Sequence, residues 1–152
     1  MGRSTRSARD LVENCLVLSV GGVCRGYSSG RRDGVVRWCC GDQEIGAIRY
    51  EINLWSAQRG SLWLHYSANG TPIQLVVSMT TTTIHLGGRR WWFVCPVTGT
   101  RVGKLYLPVG ATDFAGRKAH NLTYTSCRES GREKRLWRRI DKRLGRNEFA
   151  RR

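Results

Sequence analysis

Apolar and polar residues alternate with a period of two through the middle of the chain, and this alternation predicts β-strands. Between residues 48 and 54 the apolar positions are Ile48, Tyr50, Ile52 and Leu54. The alternation recurs over residues 61–67 and 73–79, and VVRWCC at 35–40 is a further candidate strand. Successive strand side chains point to opposite faces, so these strands have one buried face and one wet face. With the turn-forming pair Asn69-Gly70, the pattern predicts an antiparallel meander over residues 35–88.

The segments on either side of the meander are less regular. Residues 1–34 consist of a basic arm, an apolar run at 11–20 and a glycine-rich loop. The apolar run fits either a short helix or a buried strand, because its length does not decide between them. After Gly87-Gly88, alternation over residues 91–95 predicts another strand, with residues 102–107 as its hairpin partner.

The C-terminal segment, residues 128–152, has a helical pattern. Its apolar residues Leu136, Ile140 and Leu144 recur at every fourth position and are separated by lysines and arginines. Ser126 and Glu129 have the spacing of a capping box, and Gly145 stands where a helix commonly ends. We therefore predict an α+β fold, in which a basic amphipathic helix follows the antiparallel sheet.

The net charge of the chain indicates which class of partner it binds. The 152 residues include 26 Lys and Arg against 11 Asp and Glu, which gives a net charge of +15. Such an excess favours a polyanion, because neutralising phosphates releases their condensed counterions. The chain has no apolar run long enough for a membrane-spanning helix, and its start lacks the apolar core of a signal peptide. We therefore expect a cytoplasmic protein with six reduced cysteines and no membrane partner.

The stretch RWWFVCPVTGTRVGKLYLP, residues 90–108, has the form of the first half of a zinc ribbon: a strand, a cysteine, a tight turn and a returning strand. It resembles a family of bacterial zinc-ribbon-like proteins without an established activity, and the likeness covers most of the chain. The matching residues are Arg90, Trp92, Phe93, Cys95, Pro96, Gly99, Arg101, Val102, Leu105, Tyr106, Phe114, Arg117, Leu122, Tyr124, Ser126, Glu129 and Arg143-Leu144-Gly145. The resemblance implies a zinc-ribbon fold over residues 89–127.

The ligand positions that the resemblance implies are Cys95, Thr98, Gly116 and Ala119. Structural zinc requires four sulfur or nitrogen ligands, and three of these positions carry none. We therefore expect no cofactor and a degenerate ribbon held by packing. A site rebuilt from His85, Cys95, His120 and Cys127 is the alternative.

These features favour a non-catalytic accessory protein that binds DNA or RNA through an arginine-rich surface. Few acidic residues and three scattered histidines make an enzyme the weaker hypothesis. The candidate contacts are Arg89, Arg90, Arg101, Lys104, Arg117 and Lys118 in the ribbon segment and Arg132, Arg135, Arg138, Arg139, Lys142 and Arg143 in the C-terminal segment. The alternative is an adaptor or inhibitor whose basic surface engages an acidic protein, and an exposed edge strand would permit strand addition.

Overall fold

Eight strands dominate the computed structural model, which describes residues 10–125. The strands are β1 (Leu16–Ser19), β2 (Gly30–Cys40), β3 (Gln43–Leu54), β4 (Arg59–Ala68), β5 (Thr71–Thr83), β6 (Arg89–Val94), β7 (Arg101–Val102) and β8 (Lys104–Leu107). A 3-10 turn, Val12–Asn14, precedes β1, and the four-residue helix α1, Val20–Val23, follows it. Of the described residues, 56% lie in strands and 7% are helical.

Six of the strands form a curled antiparallel sheet in the order β2-β3-β4-β5-β6-β7, which confirms the predicted meander. β2 and β3 pair along their whole length, from Gly30 opposite Leu54 to Cys40 opposite Gln43. The predicted turn between β4 and β5 is also confirmed: Asn69 and Gly70 have φ angles of 53° and 78°. Two successive positive φ angles match the right-handed twist of the flanking strands, which explains why Asn-Gly occupies this position.

The predicted α+β class is wrong for the described residues, because they are mostly strand and contain no helix longer than four residues. The helix predicted over residues 128–152 lies outside the described residues. The apolar run at 11–20 contains a 3-10 turn and then strand β1. β2 begins at Gly30, so the strand extends into the stretch that composition indicated as loop.

The predicted strand at 102–107 is divided at Gly103. Arg101 and Val102 pair with β6, whereas β8 leaves that sheet and pairs with β1. The backbone N–H of Val20 donates to the Gly103 carbonyl at 3.0 Å, which joins α1 to the point of division. The local pattern of residues 102–107 is that of one strand, so its division depends on a partner distant in sequence.

Phe114 links the curled sheet to the irregular segment that follows β8. It is fully buried, stacks on Trp38 of β2 at 6.2 Å between ring centroids, and meets Tyr66 of β4 edge-on at 5.3 Å. The Trp38 indole N–H donates to the Val17 carbonyl at 2.9 Å, and the Tyr66 hydroxyl donates to the Thr112 carbonyl at 2.7 Å. Both rings therefore contribute apolar contact to Phe114 and a hydrogen bond to a neighbouring segment.

We expect Phe114→Ala to lower the free energy of unfolding by about 3–5 kcal/mol, because it leaves a cavity beside both rings. Val109→Ala is the matched control, since Val109 is 91% exposed on the same segment and its loss should be nearly neutral. Urea denaturation of both variants measures the difference. Equal stabilities would show that this ring does not hold the segment in place.

Candidate nucleic-acid interface

Five of the predicted contact residues line one cleft of about 430 Å³, which we call the basic cleft. They are Arg90, Arg101, Lys104, Arg117 and Lys118. The first three come from β6, β7 and β8, and the last two come from the turn after Phe114. The fold thus places residues 90–104 beside residues 117 and 118. Only the resemblance, and no local pattern, had suggested that these two stretches lie together.

Strand β6 positions Arg90. Residues two apart on a strand share a face, and the Arg90 guanidinium carbon lies 4.2 Å from the centroid of the Trp92 ring. The Trp92 indole N–H donates to the Thr82 hydroxyl of β5 at 2.8 Å, which fixes the ring under the guanidinium. A cation over an aromatic face at an exposed site gains about 0.5–1 kcal/mol, so Arg90 has a preferred position beside the cleft.

A tight turn positions Arg117 and Lys118. The Ala119 N–H donates to the Gly116 carbonyl at 3.0 Å, and the Leu122 N–H donates to the Arg117 carbonyl at 3.0 Å. The Arg117 guanidinium carbon also lies 5.4 Å from the Tyr124 ring centroid. Both basic side chains are exposed, while their backbone is held by hydrogen bonds.

The basic cleft contains no carboxylate among the described residues that line it. Within residues 10–125, the Arg–Glu ion pairs lie on the β2–β3 ribbon instead, between Arg31 and Glu51 at 3.5 Å and between Arg37 and Glu44 at 2.8 Å. The cations that line the cleft therefore have no described acidic partner there. Like charges held together in this way favour binding of an anion.

A buried thiol forms one end of the turn beside the cleft. Cys95 is 1% exposed, and its Sγ accepts a hydrogen bond from the Gly116 N–H at 3.2 Å. Burial raises the pKa of the Cys95 thiol, but hydrogen bonds from Thr98, Gly116 and Val97 together outweigh it, so the pKa lies below its usual 9.0. Polar donors thus surround this sulfur, as they would surround an anion.

The residues at the implied ligand positions do not fit zinc. Thr98 and Gly116 both contact Cys95, and Ala119 lines the same cleft, so the four positions lie together. Only one of them carries a metal-binding atom of the kind zinc prefers. Residues 10–125 hold no group of three or more His, Cys, Asp or Glu able to bind a metal ion. His85, Cys95 and His120 are therefore not assembled as a rebuilt site, and Cys127 lies outside the described residues.

A second recess, which we call the loop cleft, adjoins the first and has a volume of about 1140 Å³. It lies between the segment 19–28 and the start of β6, and it shares Arg90, Gly103 and Lys104 with the basic cleft. Arg89, the sixth predicted contact, lies here, and its guanidinium donates to the Ala57 carbonyl at 3.3 Å. No described carboxylate lines this recess either.

Arg25 also lines the loop cleft, but it is not among the contacts predicted from the sequence. The glycine-rich composition around it indicated only a loop, and nothing local placed that loop beside β6. The six predicted contacts in the C-terminal segment lie outside the described residues. They are Arg132, Arg135, Arg138, Arg139, Lys142 and Arg143.

Comparison of the chain with protein-family models, curated proteins and solved structures finds no match. None of the helices within residues 10–125 has the length and apolarity that crossing a membrane requires.

We expect Thr98→Val to raise the pKa of the Cys95 thiol, because a donor to the thiolate is lost while burial persists. The Cβ chemical shift of Cys95 in ¹³C-labelled protein, assigned with Cys95→Ser, would report the titration. Cys24 is the internal control, since burial raises its pKa to about 11 and Thr98 is not among the causes. An unchanged Cys95 titration would contradict the assigned role of the hydroxyl.

Proposed function

We propose that this chain is a non-catalytic accessory protein that binds DNA or RNA through the basic cleft. The observation that carries the proposal is the convergence of five cations on one cleft that no described carboxylate lines. Their side chains come from two segments, joined by the paired backbone of Tyr106 and Ala115. A polyanion with closely spaced charges satisfies such a surface better than an isolated small anion does.

Four of the cations would contact phosphate in two different ways. The guanidiniums of Arg101 and Arg117 suit forked hydrogen bonds to phosphate oxygens, whereas Lys104 and Lys118 act as mobile point charges. Binding gains free energy mainly from released counterions, so it falls steeply as salt rises. Contacts to phosphate carry no sequence information by themselves, and we therefore propose weak sequence preference for this part of the interface.

We propose no catalytic role for Cys95. Its sulfur is almost completely buried and is already engaged by hydrogen-bond donors, so a substrate has no direct approach to it. Its role in the proposal is structural, since it joins the turn after β6 to Gly116 beside the cations.

A gel-shift series with nuclease-treated protein tests the function. We expect affinity for mixed DNA or RNA to fall steeply between about 50 and 200 mM salt. Removing two phosphate contacts with Arg101→Ser and Lys104→Ser should lower the slope of log affinity against log salt by about 1.5. Arg49→Ser is the matched control, because Arg49 is exposed on β3 and lines neither cleft. Absence of any shift at low salt would remove the proposal.

The alternative is an adaptor that binds an acidic protein. Strand β2 favours it, because β2 is an eleven-residue edge of the sheet and is mostly exposed. An extended segment of a partner can pair with such an edge. However, Arg31 and Arg37 on this edge already face Glu51 and Glu44, which lowers its attraction for an acidic strand. Capture of one stoichiometric protein by a sample that shifts no nucleic acid would favour the adaptor.

We also propose that the scaffold is a zinc ribbon without its metal. Supporting this, Cys95, Thr98 and Gly116 are in contact, and a Cβ added at Gly116 would lie 3.5 Å from Cys95 Sγ. The same Cβ would lie 3.2 Å from Val102 Cγ1, so the Val102 side chain has to shift by a few tenths of an ångström before a cysteine there brings a second sulfur close to the first.

The triple variant Thr98→Cys, Gly116→Cys and Ala119→Cys is expected to bind one zinc ion, as elemental analysis would measure. Zinc should raise its thermal stability, because structural zinc in small modules supplies on the order of 10 kcal/mol. The same variant with Cys95→Ser is the control and should bind zinc far more weakly. A triple variant that gains no zinc, or a native protein that already contains it stoichiometrically, would overturn the scaffold proposal.

A further inference from the structure

We infer that the loop cleft receives an unstacked base, and that the nucleic acid bound by this protein is single-stranded. This inference rests on the proposed function and specifies its ligand. The juxtaposition that carries it is a recess with two aromatic rings, Tyr27 and Trp91, beside the ridge formed by Arg90 and Lys104. The same ridge forms a wall of the basic cleft, so the two recesses offer adjoining places for bases and phosphates.

Packing against the core holds the two rings. Tyr27 and Trp91 are both half-buried and pack against the hydrophobic core, while each also lines the loop cleft. Trp92, by contrast, has the Arg90 guanidinium over its ring and a hydrogen bond to Thr82. Tyr27 and Trp91 are therefore the better candidates for stacking, because a pre-positioned ring loses little freedom when a base covers it.

Cations surround these rings. Arg25, Arg89, Arg90 and Lys104 line the loop cleft, and no described carboxylate does. Arg89 donates one hydrogen bond to the Ala57 carbonyl, which leaves further guanidinium donors for a ligand. Aromatic rings interleaved with cations are the arrangement that single strands recognise, since bases stack while the backbone follows the charges.

The concave shape argues against a duplex. Double-stranded DNA shows only base edges within its grooves, and a protein reads them by inserting a protruding helix or ribbon. The cations here line recesses of about 430 and 1140 Å³ rather than a protruding helix or ribbon. An unpaired base is a flat ring that can enter such a recess, whereas a stacked and paired base cannot leave its helix without cost.

Fluorescence anisotropy with a labelled single-stranded oligonucleotide and its duplex of equal length tests the inference. Trp91→Leu keeps an apolar side chain against the core but removes the ring, and we expect it to weaken single-strand binding roughly tenfold. Trp63→Leu is the matched control, because Trp63 is 40% exposed on β4 and lines neither cleft. Thermal unfolding of both variants checks that they remain folded.

Arg25→Ser provides a test that does not depend on the core. Arg25 is exposed, so its loss should leave the fold intact while lowering the salt slope for single strands by about 0.7. Arg49→Ser should leave that slope unchanged. Because this variant removes only surface charge, it keeps the inference testable even if Trp91→Leu is unstable.

The outcomes distinguish failure of the inference from failure of the proposed nucleic-acid binding. Preference for the single strand, with loss in Trp91→Leu and a reduced slope in Arg25→Ser, would support the inference. Equal binding of duplex and single strand, with Trp91→Leu and Arg25→Ser unchanged, would overturn it and leave nucleic-acid binding standing. Binding of neither probe at low salt would overturn both.

Discussion

The structure depends on one packing constraint, the position of Phe114 between Trp38 and Tyr66. The curled sheet brings these two rings together from β2 and β4, and Phe114 inserts where both can contact it. The turn that carries Arg117 and Lys118 follows directly, so its location is set by an apolar contact and not by charge. A repulsive cluster of cations needs such an anchor, because the cations themselves supply no attraction that would assemble it.

The same anchor also positions the hydrogen bond between Gly116 and Cys95. Gly116 lies two residues after Phe114, and its N–H donates to the Cys95 sulfur at 3.2 Å. Such a bond contributes only about 1 kcal/mol. Burial of Phe93, Leu105 and Phe114 in one core accordingly has to hold the segments together.

Acidic and basic side chains are distributed unevenly over the surface of the described residues. Arginines of the β2–β3 ribbon have glutamates within reach, whereas the described residues around the two clefts include no carboxylate. The clefts therefore retain their positive potential, and the ridge of Arg90 and Lys104 extends it from one recess to the other. Tyr27 and Trp91 beside that ridge pack against the core and also line the loop cleft. The same rings therefore contribute to stability and to the proposed recognition of bases.

The sequence by itself determined the strands from Gln43 to Val94. In a strand with one buried face, alternate side chains are buried, so the alternation of apolar and polar residues identifies the strand. It also determined the Asn69-Gly70 turn, whose positive φ angles favour those residue types. Only the tertiary structure decided that the chain after Val102 changes partner, and that Arg25 lines the same recess as Arg90. Those outcomes depend on contacts between residues far apart in the chain. The local pattern of apolar and polar residues predicts secondary structure, but it does not predict which distant part of the fold a loop contacts.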